Sequence, residues 1–132
     1  MKDEELLKYL CDGAESSYEF VSDIMDSVED ENARRELERQ KESYRGLANT
    51  ARNGLRGRGV EYRGRPEKRR KIAPSYPNSV NMAVWKCEND LEELERTVDE
   101  YKKSDYDKTV AALANEVEEL ERENAENLRR YL

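Results

Sequence analysis

Histidine is absent from the 132-residue chain, which removes the commonest general base and metal ligand of proteins. Catalytic sites that pair serine or cysteine with histidine are therefore excluded. The two cysteines, Cys11 and Cys87, lie far apart, so the chain has neither a zinc knuckle nor a redox Cys-x-x-Cys motif. Both occupy apolar helical positions, which favours small buried thiols. We predict a protein with no enzymatic activity and no cofactor.

Long apolar runs are also missing, because no stretch of about 18 apolar residues occurs and no membrane-spanning helix is predicted. The first residues, Met-Lys-Asp-Glu-Glu, lack the apolar centre of a signal peptide. We therefore expect a cytoplasmic protein. No basic amphipathic helix is present either, which argues against binding to a membrane surface.

What the chain does contain is charge arranged around apolar stripes. Charged residues make up 42% and apolar residues 36%. Because the apolar residues recur on stripes and are not scattered, this balance indicates long amphipathic helices and not a disordered chain. The length fits one domain over residues 1–132.

Apolar side chains recur at alternating steps of three and four residues, which predicts helices. Four such stretches occur, at about residues 3–28, 31–56, 78–102 and 105–131. Asp3 is a predicted N-cap, and Glu29 and Asp30 mark a tight reversal between the first two helices. Ser104 to Asp107 has the form of a capping box before the fourth helix. The predicted fold class is all-α, a four-helix bundle.

Trp85 and Met82 lie off the apolar stripe of the third helix. We expect these two side chains either to pack beneath the connection before that helix or to form a subunit contact. The second expectation predicts a protein partner or a homo-oligomer.

The inward stripe of the fourth helix is apolar for three turns and then becomes polar at Asn124 and Asn127. If the first two helices pair across their short turn, Tyr18 lies beside Gln40 and Tyr44. Two helices then become polar at one level. The sequence therefore predicts a polar layer within the core, and special chemistry is expected there.

A basic connection, residues 57–77, joins the second and third helices. From Arg52 to Lys71 nine basic residues stand against two acidic ones, and four of the six glycines fall in this stretch. The basic residues are Arg52, Arg56, Arg58, Arg63, Arg65, Lys68, Arg69, Arg70 and Lys71. This segment either docks on the acidic bundle or binds a polyanion such as nucleic acid, with Tyr62 stacking on a base. The net charge of −7 makes nucleic acid the less favoured partner.

The length of this connection decides the predicted topology. A 26-residue helix is about 39 Å long, and some twenty residues at about 3.3 Å each can span that distance. The third helix can then run parallel to the second, as in bundles with a single long crossover. The alternative is an up-down-up-down bundle with a loose basic loop.

The chain resembles ferritin-like and rubrerythrin-like proteins, in particular uncharacterised bacterial branches that include stress-associated proteins. The resemblance rests on two stretches, Glu118-Glu-Leu-Glu-Arg-Glu-Asn-Ala-Glu-Asn-Leu-Arg-Arg-Tyr-Leu132 and Asp12-Gly-Ala14 through the reversal to Leu47-Ala48. It implies a ferritin-like bundle with a long crossover between the second and third helices. Active members hold two irons with carboxylates and Glu-x-x-His motifs.

The resemblance also implies a site. Glu121 matches the glutamate of the last motif, and Asn124 stands where its histidine would be. On the second helix either Lys41 to Tyr44 or Glu42 to Arg45 takes the motif, and neither supplies an imidazole. Glu15 or Glu19, together with Glu88, are the remaining carboxylate candidates. The expected degenerate layer comprises Tyr18, Gln40, Tyr44, Glu88, Glu121 and Asn124.

Three functions follow from these observations. A non-enzymatic structural or protein-interaction module with a metal-free core layer is favoured. A side-chain cation such as Lys41 or Arg45 near grouped carboxylates has the electrostatic effect that a metal ion would have there. Polyanion binding through the basic segment is the first alternative. The second is a metal site built from oxygen ligands only.

Overall fold

The computed structural model describes residues 3–64, 79–101 and 105–132, apart from the side chains of residues 100 and 101. These ranges contain four α-helices. The helices are α1 (Asp3–Met25), α2 (Glu31–Arg56), α3 (Ser79–Tyr101) and α4 (Lys108–Arg129). No strand occurs in these ranges. The predicted all-α four-helix bundle is therefore confirmed. Within the described ranges no helix is both long and apolar enough to cross a membrane.

The reversal between α1 and α2 lies where the sequence predicts it. α1 ends at Met25, three residues before the predicted end. A turn follows it, in which Ser27 Oγ donates to the carbonyl of Ile24, in the last turn of the helix, at 2.9 Å. Asp30 is the N-cap of α2, and its carboxylate accepts from the backbone N–H of Asn32 at 2.8 Å and of Ala33 at 3.0 Å. These bonds satisfy amides that the helix leaves without partners.

The start of α4 differs from the prediction. The N-cap is Asp107, whose carboxylate accepts from the backbone N–H of Thr109 at 2.9 Å, so the helix begins at Lys108 and not near residue 105. Ser104, the predicted cap, lies outside the described residues. Asp3 also differs, because it lies within α1 and its carboxylate accepts from the backbone N–H of Asp107 at 3.0 Å. The carboxylate predicted to cap α1 thus joins the beginnings of α1 and α4.

Contacts at the helix ends establish the topology. The bond between Asp3 and Asp107 places the starts of α1 and α4 at one end, and Arg58, just after α2, lies 3.4 Å from the Asp107 carboxylate. At the other end the hydroxyls of Ser27 and Ser79 lie 3.0 Å apart, so α3 begins where α1 finishes. α2 and α3 are therefore parallel. The chain between them joins opposite ends of the bundle, as predicted for a single crossover, and the up-down-up-down alternative is wrong.

The core contains Met82, which was predicted to lie off the apolar stripe. Met82 is 1% exposed, whereas Trp85 is 47% exposed. Burial contradicts the subunit contact predicted for Met82, whereas packing beneath the connection involves residues outside the described ranges. Neighbouring Val80, Ala83 and Val84 are buried as well, so the apolar face of α3 is wide at its start. Trp85 remains available for the predicted contact, which stays a prediction.

Candidate functional site

A layer of buried polar side chains lies where α2 faces α4. Gln40 and Tyr44 are four residues apart on α2, and Glu121 and Asn124 are three apart on α4, so each pair shares one face of its helix. Gln40 and Asn124 are fully buried, and Tyr44 and Glu121 are 3% exposed. Because α2 and α4 run in opposite directions, the two pairs meet at one level. The structure thus brings together four of the six predicted layer residues.

Hydrogen bonds connect the two helices through this layer. The Asn124 side-chain amide donates to the Tyr44 hydroxyl at 3.0 Å, and Gln40 donates to the Asn124 backbone carbonyl at 3.2 Å. Gln40 also donates to Glu36 at 2.7 Å, and Arg39 approaches the Asn124 side-chain oxygen at 3.4 Å. Asn124 therefore takes part in hydrogen bonds at both side-chain ends, which makes it a structural member of the layer.

The Tyr44 hydroxyl extends the layer to α3, where it lies 3.5 Å from the Cys87 sulfur. Burial raises the pKa of both the Tyr44 hydroxyl and the Cys87 thiol, and Glu121, once it ionises at higher pH, raises both further. Both groups are therefore protonated at neutral pH. A protonated thiol is a poor nucleophile, so Cys87 is a packing and hydrogen-bonding group.

Glu121 differs from the other members because neither of its side-chain oxygens has a hydrogen-bond partner, whereas Gln40 lacks a partner only at its side-chain oxygen. Both carboxyl oxygens are buried and neither meets hydrogen-bond geometry with a described group, although the neighbouring Tyr44 hydroxyl is close enough to lower the pKa of the carboxyl. Burial raises the pKa of this carboxyl to about 8. At neutral pH Glu121 is thus mostly a neutral carboxylic acid, a form that both donates and accepts hydrogen bonds. A buried polar group without a partner is unusual and marks a candidate functional site.

Two predicted members lie elsewhere. The half-buried Tyr18 receives a hydrogen bond from Arg45, which with Lys41 also lies over its ring. The inward side chain at this level of α1 is the next one back, Ser17, which is 4% exposed. Assigning Tyr18 to the layer was therefore wrong by one position, about 100° around the helix.

Glu88 is misplaced for the same reason. The inward residue of this turn of α3 is Cys87, and the Glu88 side chain is half exposed and paired with Arg129. Of the carboxylates predicted for the layer, only Glu121 is inside.

An open cleft of about 560 Å³ leads from the surface between α1 and α3 to Glu121. Its apolar walls are formed by Leu10, Ala14, Leu47, Leu94 and Val117. Gly13 lies on its α1 side, where a side chain would meet no atom within 4 Å. Clefts of this volume, with apolar walls beside a set of polar groups, are typical of small-molecule sites.

Polar groups on the α3 side of the cleft were not predicted from the sequence. Lys86 donates to Asp90 at 2.5 Å, and Ser17 of α1 donates to the same carboxylate at 3.3 Å. The Lys86 side chain is 12% exposed and that of Asp90 25% exposed, and burial raises the pKa of Asp90. A lysine and an aspartate four residues apart look like a solvated helix pair in sequence, so only the packing identifies them.

The residues that the family resemblance assigns to a two-metal site do not assemble. Glu88 faces solvent, Glu15 pairs with Arg52, and the Asn124 amide is bonded to Tyr44. In the described part of the chain, no three acidic or cysteine side chains group closely enough to hold a metal ion. Glu121 stands as a lone carboxyl, so this donor set does not fit a two-iron centre.

The described part of the basic segment docks on the bundle. Arg52 pairs with Glu15 of α1, and Arg58 lies 3.7 Å from Asp3 and 3.4 Å from Asp107. Arg56 contacts Asn53 within its own helix. Gly59, with φ of 79°, turns the chain back after α2, a conformation that favours glycine. Arg65, Lys68, Arg69, Arg70 and Lys71 lie outside the described residues.

Tyr62 anchors this docked stretch, because its hydroxyl donates to the Asp12 carboxylate at 2.6 Å and its ring lies under Lys8. Tyr62→Phe is expected to lower the local opening free energy by about 1 kcal/mol and to speed cleavage roughly fivefold. Trypsin cleavage after Arg56, Arg58 and Arg63, mapped by mass spectrometry, measures this change.

The control for this experiment is Tyr131→Phe, which removes a hydroxyl at the opposite end of the bundle. Its cleavage rate after the three arginines should equal that of the wild type. Equal rates in Tyr62→Phe and the wild type would show that the hydroxyl does not hold the segment down.

Comparisons with known proteins give no relative: no family model, no curated protein and no solved structure matches the chain.

Proposed function

We propose that this protein is a non-catalytic helical bundle that binds a small organic molecule in the cleft between α1 and α3. The observation that carries the proposal is that Glu121, whose buried carboxyl has no hydrogen-bond partner, is among the residues that line a cleft of about 560 Å³. An unpartnered buried polar group costs folding free energy of about 1–3 kcal/mol. A ligand that bonds to it would recover that free energy.

The binding role is favoured over catalysis by the chemistry of the layer. Histidine is absent from the sequence, and the Cys87 thiol and Tyr44 hydroxyl both hold their protons at neutral pH. Among the described residues, no activated nucleophile therefore adjoins Glu121. The proposed function is thus non-enzymatic, as expected from the sequence. The proposed binding site is the cleft inside the bundle and not its outer surface.

Relationship to ferritin-like proteins and a cytoplasmic location are part of the same proposal. The first is supported by the parallel arrangement of α2 and α3, which requires a long crossover. The second is supported by Cys11 and Cys87, which are both buried thiols and form no disulfide with each other. Docking of Arg52 and Arg58 on acidic partners leaves the polyanion alternative with less support.

Two glycines allow a matched test of the cleft. Gly13 and Gly46 are both exposed, lie within helices and have open space where a Cβ atom would project, but only Gly13 lines the cleft. Replacing either by leucine should stabilise the fold by about 0.5–1 kcal/mol, because glycine is a poor helix former. Only Gly13→Leu should fill the cleft and weaken ligand binding by about tenfold, or 1.4 kcal/mol.

The measurement is an NMR titration with small aromatic and aliphatic fragments, following the amides of Gly13 or its replacement, Ala14 and Val117. Binding at these amides in the wild type and Gly46→Leu, with loss in Gly13→Leu, supports the proposal. If no fragment shifts these amides, or if Gly13→Leu binds as well as Gly46→Leu, the cleft is not a ligand site.

A further inference from the structure

The charges around the cleft are unequal. Asp12, Asp90 and Glu93 line it together with Glu121, and Lys86 is the one basic side chain among the described residues that line it. The Lys86 ammonium is already held by Asp90 at 2.5 Å. Asp12 accepts a hydrogen bond from Tyr62, which is neutral and leaves the carboxylate charge in place. Negative charge therefore exceeds positive charge from the mouth to the floor.

This excess discriminates among ligands by charge. An anionic ligand in the cleft would lie among three further carboxylates besides Glu121, and like-charge contact in a partly desolvated site is strongly unfavourable. A cation would be attracted along the whole cleft. The walls, formed by Leu10, Leu47 and Leu94, suit an apolar body attached to the charge.

We propose that the ligand of this cleft is an organic monocation, an amine with an apolar body, whose ammonium group binds the carboxylate of Glu121. This inference rests on the proposed binding function. Its geometric basis is that Glu121 is the buried acidic group without a partner at the floor, whereas the α3 pair of Lys86 and Asp90 is mutually satisfied.

Binding of such a cation is coupled to a proton. The Glu121 carboxyl, with its pKa raised to about 8 by burial, holds a proton at neutral pH before the cation binds. An ammonium group has only donors, so Glu121 must release this proton to solvent when the ammonium binds. The affinity for the cation should therefore increase with pH up to about 8 and level off above it.

The groups that face Glu121 support this assignment. Tyr44 from α2 and Cys87 from α3 keep their protons in this pH range, since burial raises both pKa values. Asp90 raises the pKa of Glu121 and Lys86 lowers it, both from α3. The α1 groups along the cleft are Tyr9, Asp12, Ser16 and Ser17. Of these the two serines are uncharged, and burial raises the pKa of Tyr9.

Three probes of one shape test the charge preference: 2-phenylethylamine, 2-phenylethanol and phenylacetate. At pH 8.5 the amine should bind at least about tenfold more tightly than the alcohol, and phenylacetate should bind most weakly. From pH 6.5 to 8.5 the affinity for the amine should increase by about tenfold or more. Calorimetry in two buffers with different ionisation heats should detect release of nearly one proton per bound amine at pH 6.5.

Glu121→Gln separates the charge effect from the cleft itself. This isosteric variant should lose both the preference for the amine over the alcohol and its pH dependence. Glu119→Gln, an exposed residue of the same helix with the same change of charge, should behave as the wild type.

Each remaining outcome overturns the inference in a distinguishable way. Equal or tighter binding of the alcohol at the cleft would show a neutral ligand and leave the proposed binding function intact. Tightest binding of phenylacetate at the cleft would show an anionic ligand and would likewise leave the proposed binding function intact. If none of the three probes, nor any fragment of the wider titration, binds at the cleft, the binding function itself is wrong and the inference falls with it.

Discussion

Glu121→Gln is expected to be about as stable as the wild type at pH 5 and more stable by on the order of 4 kcal/mol at pH 8. Burial raises the pKa of Glu121 from the ordinary value of 4.5 to about 8 in the folded protein. The folded state therefore binds this proton more tightly than the unfolded chain. The stabilisation that the folded state gains from binding this proton is complete below pH 4.5. It is lost as the pH rises towards 8, at about 1.4 kcal/mol per pH unit.

Urea denaturation at pH 5, 6.5 and 8 measures this difference, because the glutamine does not titrate and other ionisable groups contribute equally to both proteins. Glu119→Gln, at an exposed position of the same helix, controls for the change in net charge and should differ from the wild type by less than about 0.5 kcal/mol. A constant difference between Glu121→Gln and the wild type across this range would mean that the carboxyl is ionised and solvated in the folded protein.

Asn124→Ala should have the second largest effect, a loss of about 2–3 kcal/mol of unfolding free energy. The substitution removes the donor to the Tyr44 hydroxyl and leaves a small cavity at a fully buried position. Asn124→Leu restores the volume but not the hydrogen bond, so it should remain less stable than the wild type. Chemical denaturation at pH 6 measures both variants.

Controls for this experiment separate the hydrogen bond from a change of helix propensity. Asn89→Ala replaces an exposed asparagine of α3 and should change stability by less than about 0.5 kcal/mol. Combining Asn124→Ala with Tyr44→Phe should give a coupling energy of about 0.5–3 kcal/mol, since the two side chains are in contact. A loss below about 0.5 kcal/mol in Asn124→Ala would show that the layer contributes nothing to folding.

Periodicity was sufficient to predict the helices and the level of the polar layer. Gln40, Tyr44 and Asn124 interrupt otherwise apolar stripes, and a polar residue on an inward stripe is visible in sequence. The reversal at Glu29 and Asp30 was also predicted from the sequence, whereas the role of Asp30 as the N-cap of α2 was not. The crossover followed from chain length and helix length, which are also properties of the sequence.

The cleft was not predictable in the same way. Tyr18 and Glu88 were each assigned inward, although the adjacent Ser17 and Cys87 hold those positions, because a stripe edge is uncertain by one residue. Lys86 and Asp90 have the spacing of an ordinary surface pair. Whether helices pack closely or leave a gap depends on side-chain interlocking between helices, and this information is not contained in the period of any one helix.

The polar layer has a consequence for how the bundle assembles. α1 with α2, and α3 with α4, form two extensively packed hairpins, and the bonds from Asn124 to Tyr44 and from Ser17 to Asp90 both cross between them. Sliding one hairpin past the other by a single helical turn, about 5.4 Å, would still match apolar residues with apolar residues. It would break both crossing bonds together. The buried amide of Asn124 therefore fixes the register in which the two hairpins dock. The same register sets the width of the cleft between them.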